Sequence, residues 1–509
     1  MNLSKTLILS LTVLCPVVTR ADDWPTWGGS ADRNMVGKAS GIPTEIVSGD
    51  YLPKSENIDM STTKGVKWVA KLGSQTYGTP VVAGGKVFVG TNNESPRIPE
   101  IVGDRGVLMC LDEKTGEFLW QIPIPKLGAG KVSDWEFVGL CSSPAIDGNR
   151  GYAVTNRGEV MCFDVEGMAN GNDGDFQDEA SFFSEAPGGK VEINDHFGDI
   201  IWVVDAREEL GVFPHNVSSC SPLVYGDRVY AATSNGVDWS HKNIPAPFAP
   251  ALAVYDKNTG ELLGEEALGV SERVLHASWS TPAIGSVNGK TTIVWGAGDG
   301  FCYGFEVDPV MHPDGFPVFK ELFRYDANLP EFRMKDGEPI KYATYEGPSE
   351  IIATTVIYNN KAYMVIGQDP EHGDGVGMIS CIDPSMRGDI SGKPIWTYKD
   401  IGRSISTASI VDGLMYQAEY DGDIHCLDAE TGKQYWVHET NSRIWSSTLV
   451  ADGKVIIGNE DGELVMLKAG REKELLSLSD FYTPIYCSPV VANNTLFVTT
   501  QTHLYAIGK

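Results

Sequence analysis

Short runs of apolar, β-branched and aromatic residues recur along the chain, each broken by a tight cluster of Asp, Thr, Asn and Gly. The clearest copy is DGDIHCLDAETGKQYW, Asp421 to Trp436. It predicts one strand over IHCLD, a turn over AETGK in which Gly432 supplies the turn conformation, and a second strand ending on Trp436. A hairpin precedes it in STASIVDGLMYQAEY, with Asp412-Gly413 at its turn. The two hairpins make one four-stranded antiparallel unit of roughly 40 residues, the period of a propeller blade.

The unit repeats. Aligned on the strand of Cys426, the copies bring Cys110, Cys162, Ala253, Gly304, Cys381, Met466 and Ala506 to the same position. A small residue there suits a strand packed between neighbouring sheets. The outer strand brings Trp120, Trp202, Trp396 or Trp436, with Leu263, Phe323 and Leu475 in the other copies; each is expected to dock between adjacent blades. Eight such third strands are countable. The last, HLYAIGK, has no successor, while GVKWVAKLG near the N-terminus (Trp68) has no blade before it. Pairing these two closes the ring without a lone edge. The expectation is all-β: an eight-bladed propeller over 65–509, closed by its N-terminal strand.

Outside the repeats, residues 1–21 read as a signal peptide. Lys5 gives the positive start, Leu7 to Val18 the apolar run, and Thr19-Arg20-Ala21 the small-residue cleavage site. The run is too short to span a membrane. Cys15 raises lipidation, but Leu14 stands where that motif wants a small residue. The chain is therefore expected to be exported, to the periplasm or cell envelope, and to be a monomer. Residues 22–64, opening with DDWPTWGGSADRNMV, form an N-terminal extension expected to lie across the ring.

Charge and cysteine usage narrow the partners. The formal net charge is −28, which disfavours nucleic acid and anionic lipid, since both need clustered Lys and Arg. The cysteines recur in repeat register and read as buried small hydrophobes rather than a disulfide framework. No hydrolase nucleophile motif, phosphate-binding glycine loop or haem-attachment motif is present.

In such a blade, the loops between second and third strands leave on the same face as the blade-to-blade connections. The long loops around Pro96, His241 and His372, and the connections Gln121 to Gly139, Glu265 to Ala277 and Tyr325 to Pro348, all fall there. A partner, protein or small molecule, is expected on that loop-rich face. Along the channel, first strands give a column of small residues: Gly78, Cys141, Cys220, Ser280, Ala353, Ser406, Ser446 and Cys487. Three positions earlier, towards the mouth, stand Gln75, Glu350, Arg403 and Arg443. The arginines suit an anionic ligand, a carboxylate or quinone oxygen, or ion pairs with nearby acids. Trp279 and Trp445, one position before the small column, could stack on a flat ligand or pack between blades.

A second cluster joins His215, Asp238, His241 and His276, which enter or top blades three and four on that face. Three histidines and an aspartate could hold a zinc-class ion, serve acid–base chemistry, or brace the loops. NGNDGDFQDE (Asn170, Asn172, Asp173, Asp175, Asp178, Glu179) offers oxygens for calcium, but Gly174 falls where an EF-hand needs a carboxylate. A solvated polar turn is the competing reading.

The repeat form, SSPA followed by DG and then LD-x-x-TG-x-x-W, resembles that of pyrroloquinoline-quinone-type (PQQ-like) β-propeller proteins from Trp24 onward. DWPTWGG, GNDGDFQDE and TSNGVDWSH look like one exported subgroup of these. The resemblance implies two kinds of function. Quinoprotein alcohol dehydrogenases of this fold hold PQQ and Ca2+ in the channel, beneath a ring made by adjacent cysteines and beside a catalytic Asp; this chain has no Cys-Cys pair. The propeller lipoprotein of the outer-membrane β-barrel assembly machine binds proteins and no quinone. The expectation adopted is a binding scaffold, with the PQQ-dependent dehydrogenase as the alternative.

Overall fold

The structure, a computed structural model, describes residues 22–184, 188–342, 344, 347–370 and 375–509. The leader expected over 1–21 and the loop tip at His372 lie outside the described residues.

Eight antiparallel sheets, each with a four-stranded core, follow one another around a ring. Blade one runs Val81–Ala83, Lys86–Asn92, Arg105–Asp112 and Phe118–Pro125. Blade six runs Ser409–Val411, Leu414–Ala418, Asp423–Asp428 and Gln434–Glu439. Blade eight takes three strands from the C-terminus and its fourth, Val66–Lys71, from the N-terminus, with Trp68 opposite Ala506. No sheet end is left open at the seam, which locks the two ends of the chain into one blade.

The sequence signature explains the joints between blades. Cys110 pairs with Trp120, Cys162 with Trp202, Cys381 with Trp396 and Cys426 with Trp436. Each of these tryptophans reaches the next blade and donates its indole N–H to a main-chain carbonyl there. Trp120 bonds Val165, Trp202 bonds Lys257, Trp396 bonds Ala429 and Trp436 bonds Gly470. The Asp-x-x-Thr-Gly turn supplies the other half of the joint. Asp428 accepts from the amide and hydroxyl of Thr431 and so fixes the turn. Gly432, at φ +71°, then lies flat on the face of Trp396, where a Cβ would come within 2.6 Å of the ring.

Blade three departs from the expected register by one residue. Val254, not Ala253, stands opposite the outer-strand position, and that position is Gly264 rather than Leu263. Pro309 packs against Gly264 in the space a tryptophan would fill. Several insertions cover outer edges. Pro317–Val318 pairs in parallel with Leu262–Glu265, and Gly388–Asp389 with Glu321–Asp326. The insertion between the third and fourth strands of blade two, Glu159–Asp164 and Asp199–Asp205, bridges Phe197 to Gln121 and packs Phe183 and Phe197 onto the core of Trp120 and Ile122.

Residues 22–42 run across the other face, touching all eight blades near their first hairpin turns. Trp24 pairs with Val82; the carbonyls of Pro25, Ala31, Asp32 and Met35 accept from Ile146, Ile284, Ile357 and Val450. Asn34 bonds both backbone groups of Ile410, and the Ser40 amide donates to Asn494. Arg33, fully buried, lies over the axis and donates to the carbonyls of Pro282, Pro222 and Trp27 and to the Thr26 hydroxyl. Burial pulls its pKa down to about 9, so it stays charged at neutral pH. The WGG turn makes this crossing. Gly29 sits at φ +73° against the Trp24 ring, and a Cβ on Gly28 would fall 2.7 Å from the Arg33 backbone. Among the described residues no helix is long and apolar enough to cross a membrane.

Candidate functional site: a blind well and a histidine cluster

With one end of the channel covered by the N-terminal segment, the other forms a well of about 460 Å3, the range of small-ligand sites. Trp27 reaches in from the covering segment and donates its indole N–H to Thr354. The wall above is aromatic. Tyr77 and Tyr486 stack at 4.9 Å, and Trp445 meets Tyr486 edge-on at 5.5 Å. Trp279 faces them from blade four, held by its indole bond to the Val217 carbonyl. Trp135, Glu136, Asn216, Asp369 and Pro370, from the loop-rich face, complete the rim.

Below the aromatic tier lies a belt of hydroxyls, one per blade: Thr79, Ser143, Ser221, Thr281, Thr354, Thr407, Ser447 and Ser488. In six of the eight steps the backbone N–H at this position donates to the hydroxyl of the next blade. Examples are Ser143 to Ser221, Thr407 to Ser447 and Ser488 to Thr79. Each such bond occupies an oxygen lone pair and leaves the hydroxyl hydrogen to seek its own acceptor. The small residues expected to line the channel point back into the sheets instead. Cys141 is the exception: it stands one position earlier than its expected column, level with Tyr77 and Trp445, and faces the well. Ser142 takes the buried small position. Burial lifts the Cys141 thiol to about 12. All eight cysteines of the described chain are free thiols.

The residues expected at the channel mouth separate into three places. Gln75, Trp279 and Trp445 line the well. Arg403 does not: it is 5% exposed, its guanidinium lies 4.3 Å over the Tyr420 ring, and it donates to the carbonyls of Asp369 and Pro370. It braces the rim. Arg443 is exposed, its guanidinium 5.6 Å from the same Tyr420 ring, and Tyr420 in turn meets Trp445 edge-on. Glu350 is fully buried beside the histidines, one oxygen accepting from the Ala277 amide and the other 3.7 Å from His276 Nδ1.

The structure brings His215, His241 and His276 together. Their ring centroids are 4.4, 5.1 and 5.2 Å apart, and one nitrogen from each lies within 4.8 Å of the others. The cluster sits behind Trp279, whose ring meets His276 edge-on at 5.0 Å. Asp238 is not part of it. Its carboxylate accepts from the Ser240 amide and hydroxyl and from Asn243, shaping the turn that carries His241. A second group, Glu419, Asp423 and His425, was not apparent from the sequence. Both His425 nitrogens are already engaged, with Glu419 and with the Tyr398 hydroxyl, so it reads as a structural relay. In the polar insertion, Asn172 bonds Glu179 and the Asp173 amide donates to Asp199. This run is not among the metal-sized clusters of the described residues.

A family model described as outer membrane protein assembly factor BamB matches residues 98–173 and 376–475. Among solved structures, the chain is similar to BamB from Moraxella catarrhalis, with 12% identity, a TM-score of 0.51, and 87% of this chain and 96% of that one covered. It is similar to a europium-containing methanol dehydrogenase at 12% identity and TM-score 0.58, over 96% and 98% of the two chains. It is also similar to quinohemoprotein alcohol dehydrogenase ADHIIG from Pseudomonas putida HK5, at 12% and 0.55, over 95% and 80%. At this identity the likeness is one of fold. No curated protein matches the chain.

Proposed function

We propose that this chain, a PQQ-like β-propeller repeat protein, is an exported binding scaffold that receives a partner on its loop-rich face, with part of that partner entering the blind well. The observation that carries the reading is the well itself. It is closed below by the chain's own N-terminal segment, ringed by aromatic faces, and floored by hydroxyls. Such a lining suits a neutral or cationic group, either a small ligand or a side chain projecting from a protein. A BamB-like family match is in keeping with a protein partner.

The lining also weighs the alternative, a PQQ-dependent dehydrogenase. A tricarboxylate quinone needs cations around it, and among the described residues of the well there is no Lys or Arg, while Glu136 and Asp369 would repel it. No two cysteines are adjacent. These residues do not fit the quinone with Ca2+.

The test is calorimetry and tryptophan emission with a panel of neutral oligosaccharides and of peptides bearing Lys or Tyr. A one-to-one binder should lose about 2- to 10-fold in affinity on Trp445→Ala, the value of one aromatic contact. A panel without a binder, or a binder indifferent to Trp445→Ala and Trp279→Ala, would remove the well from the account.

A further inference from the structure

Three separate segments deliver the histidines to one point. His215 enters blade three beside the Pro214–Asn235 bridge, His241 sits in the loop above that blade, and His276 enters blade four beside the Gly236–Ala277 bridge. Gly236 lets them meet: a Cβ there would fall 2.4 Å from the His276 carbonyl and 2.8 Å from the His215 Cβ. His241 holds a left-handed backbone at φ +55°, a conformation costly for a residue with a side chain. The turn formed by Asp238, Ser240 and Asn243 fixes it there.

We infer that His215, His241 and His276 form a binding site for a divalent ion of the zinc class at the wall of the well. The ring chemistry supports it. His215 Nδ1 lies 2.5 Å from the Val237 carbonyl and must be the donor, since a carbonyl only accepts. That fixes the neutral tautomer with the lone pair on Nε2, the form a metal takes. Glu350 stands 3.7 Å from His276 Nδ1, placed to close on it as the carboxylate behind a ligand imidazole. Zinc–nitrogen bonds of about 2.0–2.1 Å require ligand nitrogens some 3.4 Å apart, so binding draws the three rings inward by less than about 1 Å. Three neutral imidazoles leave the ion's charge uncompensated, and a fourth position open to water or a ligand oxygen. The site does not depend on what occupies the well.

The test uses the full mature chain, stripped with a chelator. Calorimetric titration with Zn2+ near neutral pH should give one ion per chain, and Co2+ should give the visible bands of a low-coordinate nitrogen site. His241→Gln, on the half-buried loop, should weaken Zn2+ by about 100-fold or more while circular dichroism and Tm of the apo chain are unchanged. Glu350→Gln should cost about 10- to 100-fold, as loss of an outer-shell partner does. Affinity should fall as pH drops, because the ion takes the neutral imidazole and binding releases any proton the ring carries. Absence of stoichiometric uptake, or uptake that survives His241→Gln and a His215→Gln/His276→Gln double variant, would overturn the site.

Discussion

Replacing Gly432 by Ala tests the joint between blades five and six. Gly432 has φ +71°, and an added Cβ would sit 2.6 Å from Trp396 Cε3 and 2.8 Å from Cδ2. Two costs follow. A side chain in the left-handed region costs about 1–2 kcal/mol, reduced by about 0.4–1 kcal/mol because Ala also restricts the unfolded chain. Overpacking a filled slot adds about 1–3 kcal/mol, and displacing Trp396 endangers its 3.0 Å bond to the Ala429 carbonyl, worth about 0.5–1.5 kcal/mol. Gly413, in the same blade, supplies the control. Its φ is +75°, yet a Cβ there meets nothing within 4 Å. Gly413→Ala should therefore carry the backbone cost alone, about 1 kcal/mol or less. Urea unfolding followed by tryptophan emission should place Gly432→Ala about 2–4 kcal/mol below wild type. If the two variants unfold together, the glycine is a turn residue only and the packing argument is wrong.

Two further outcomes follow from buried titratable groups. Burial pushes the Asp199 carboxyl up to about 7, with Glu179 and Asp164 adding to the rise against the opposing bond from the Asp173 amide. An acid whose folded pKa exceeds its unfolded value gives stability that is full below about 4 and is lost as pH climbs towards 7. Asp199→Asn should flatten the decline between those limits in urea midpoints measured against pH; an unchanged slope would refute the assignment. A thiol reagent at pH 8 should react slowly with the native chain and reach all eight cysteines of residues 22–509 after denaturation, since the Cys141, Cys162 and Cys302 thiols are raised to about 12 by burial. A shortfall after denaturation without reductant would reveal a disulfide.

The repeat made the ring legible. Once Cys426 and Trp436 are placed opposite each other, the same pair appears at Cys110 and Trp120 and, across the chain ends, at Ala506 and Trp68. What failed to show were the places where one copy departs from the others. Ala253 was placed one residue off because blade three has Gly264 where other blades have Trp, and Pro309 comes from outside the repeat to fill the space. Cys141 falls one position off because its cysteine aligns it with Cys220, whereas the Ser143-Pro144 step, matching Ser221-Pro222, puts Ser142 in the small column. The hydroxyl belt was written in the sequence, directly after the small column, but its meaning depends on bonds between blades. Arg403 and Glu350 share a register position with Gln75 and Arg443, yet the structure puts each to a different use. Arginine and glutamate at a channel mouth suggest a ligand, whereas here Arg403 braces the rim and Glu350 is buried beside the histidines; Arg33, outside the repeats, ties the covering segment to the carbonyls of Pro222 and Pro282.

The measurement that bears most directly on the account is a calorimetric titration of the mature chain with PQQ in the presence of Ca2+, followed in parallel by the quinone's absorbance. The account predicts no tight uptake, because the described lining of the well places no cation opposite the quinone's carboxylates. Calcium-dependent uptake of one quinone per chain would contradict it and make the protein a quinoprotein.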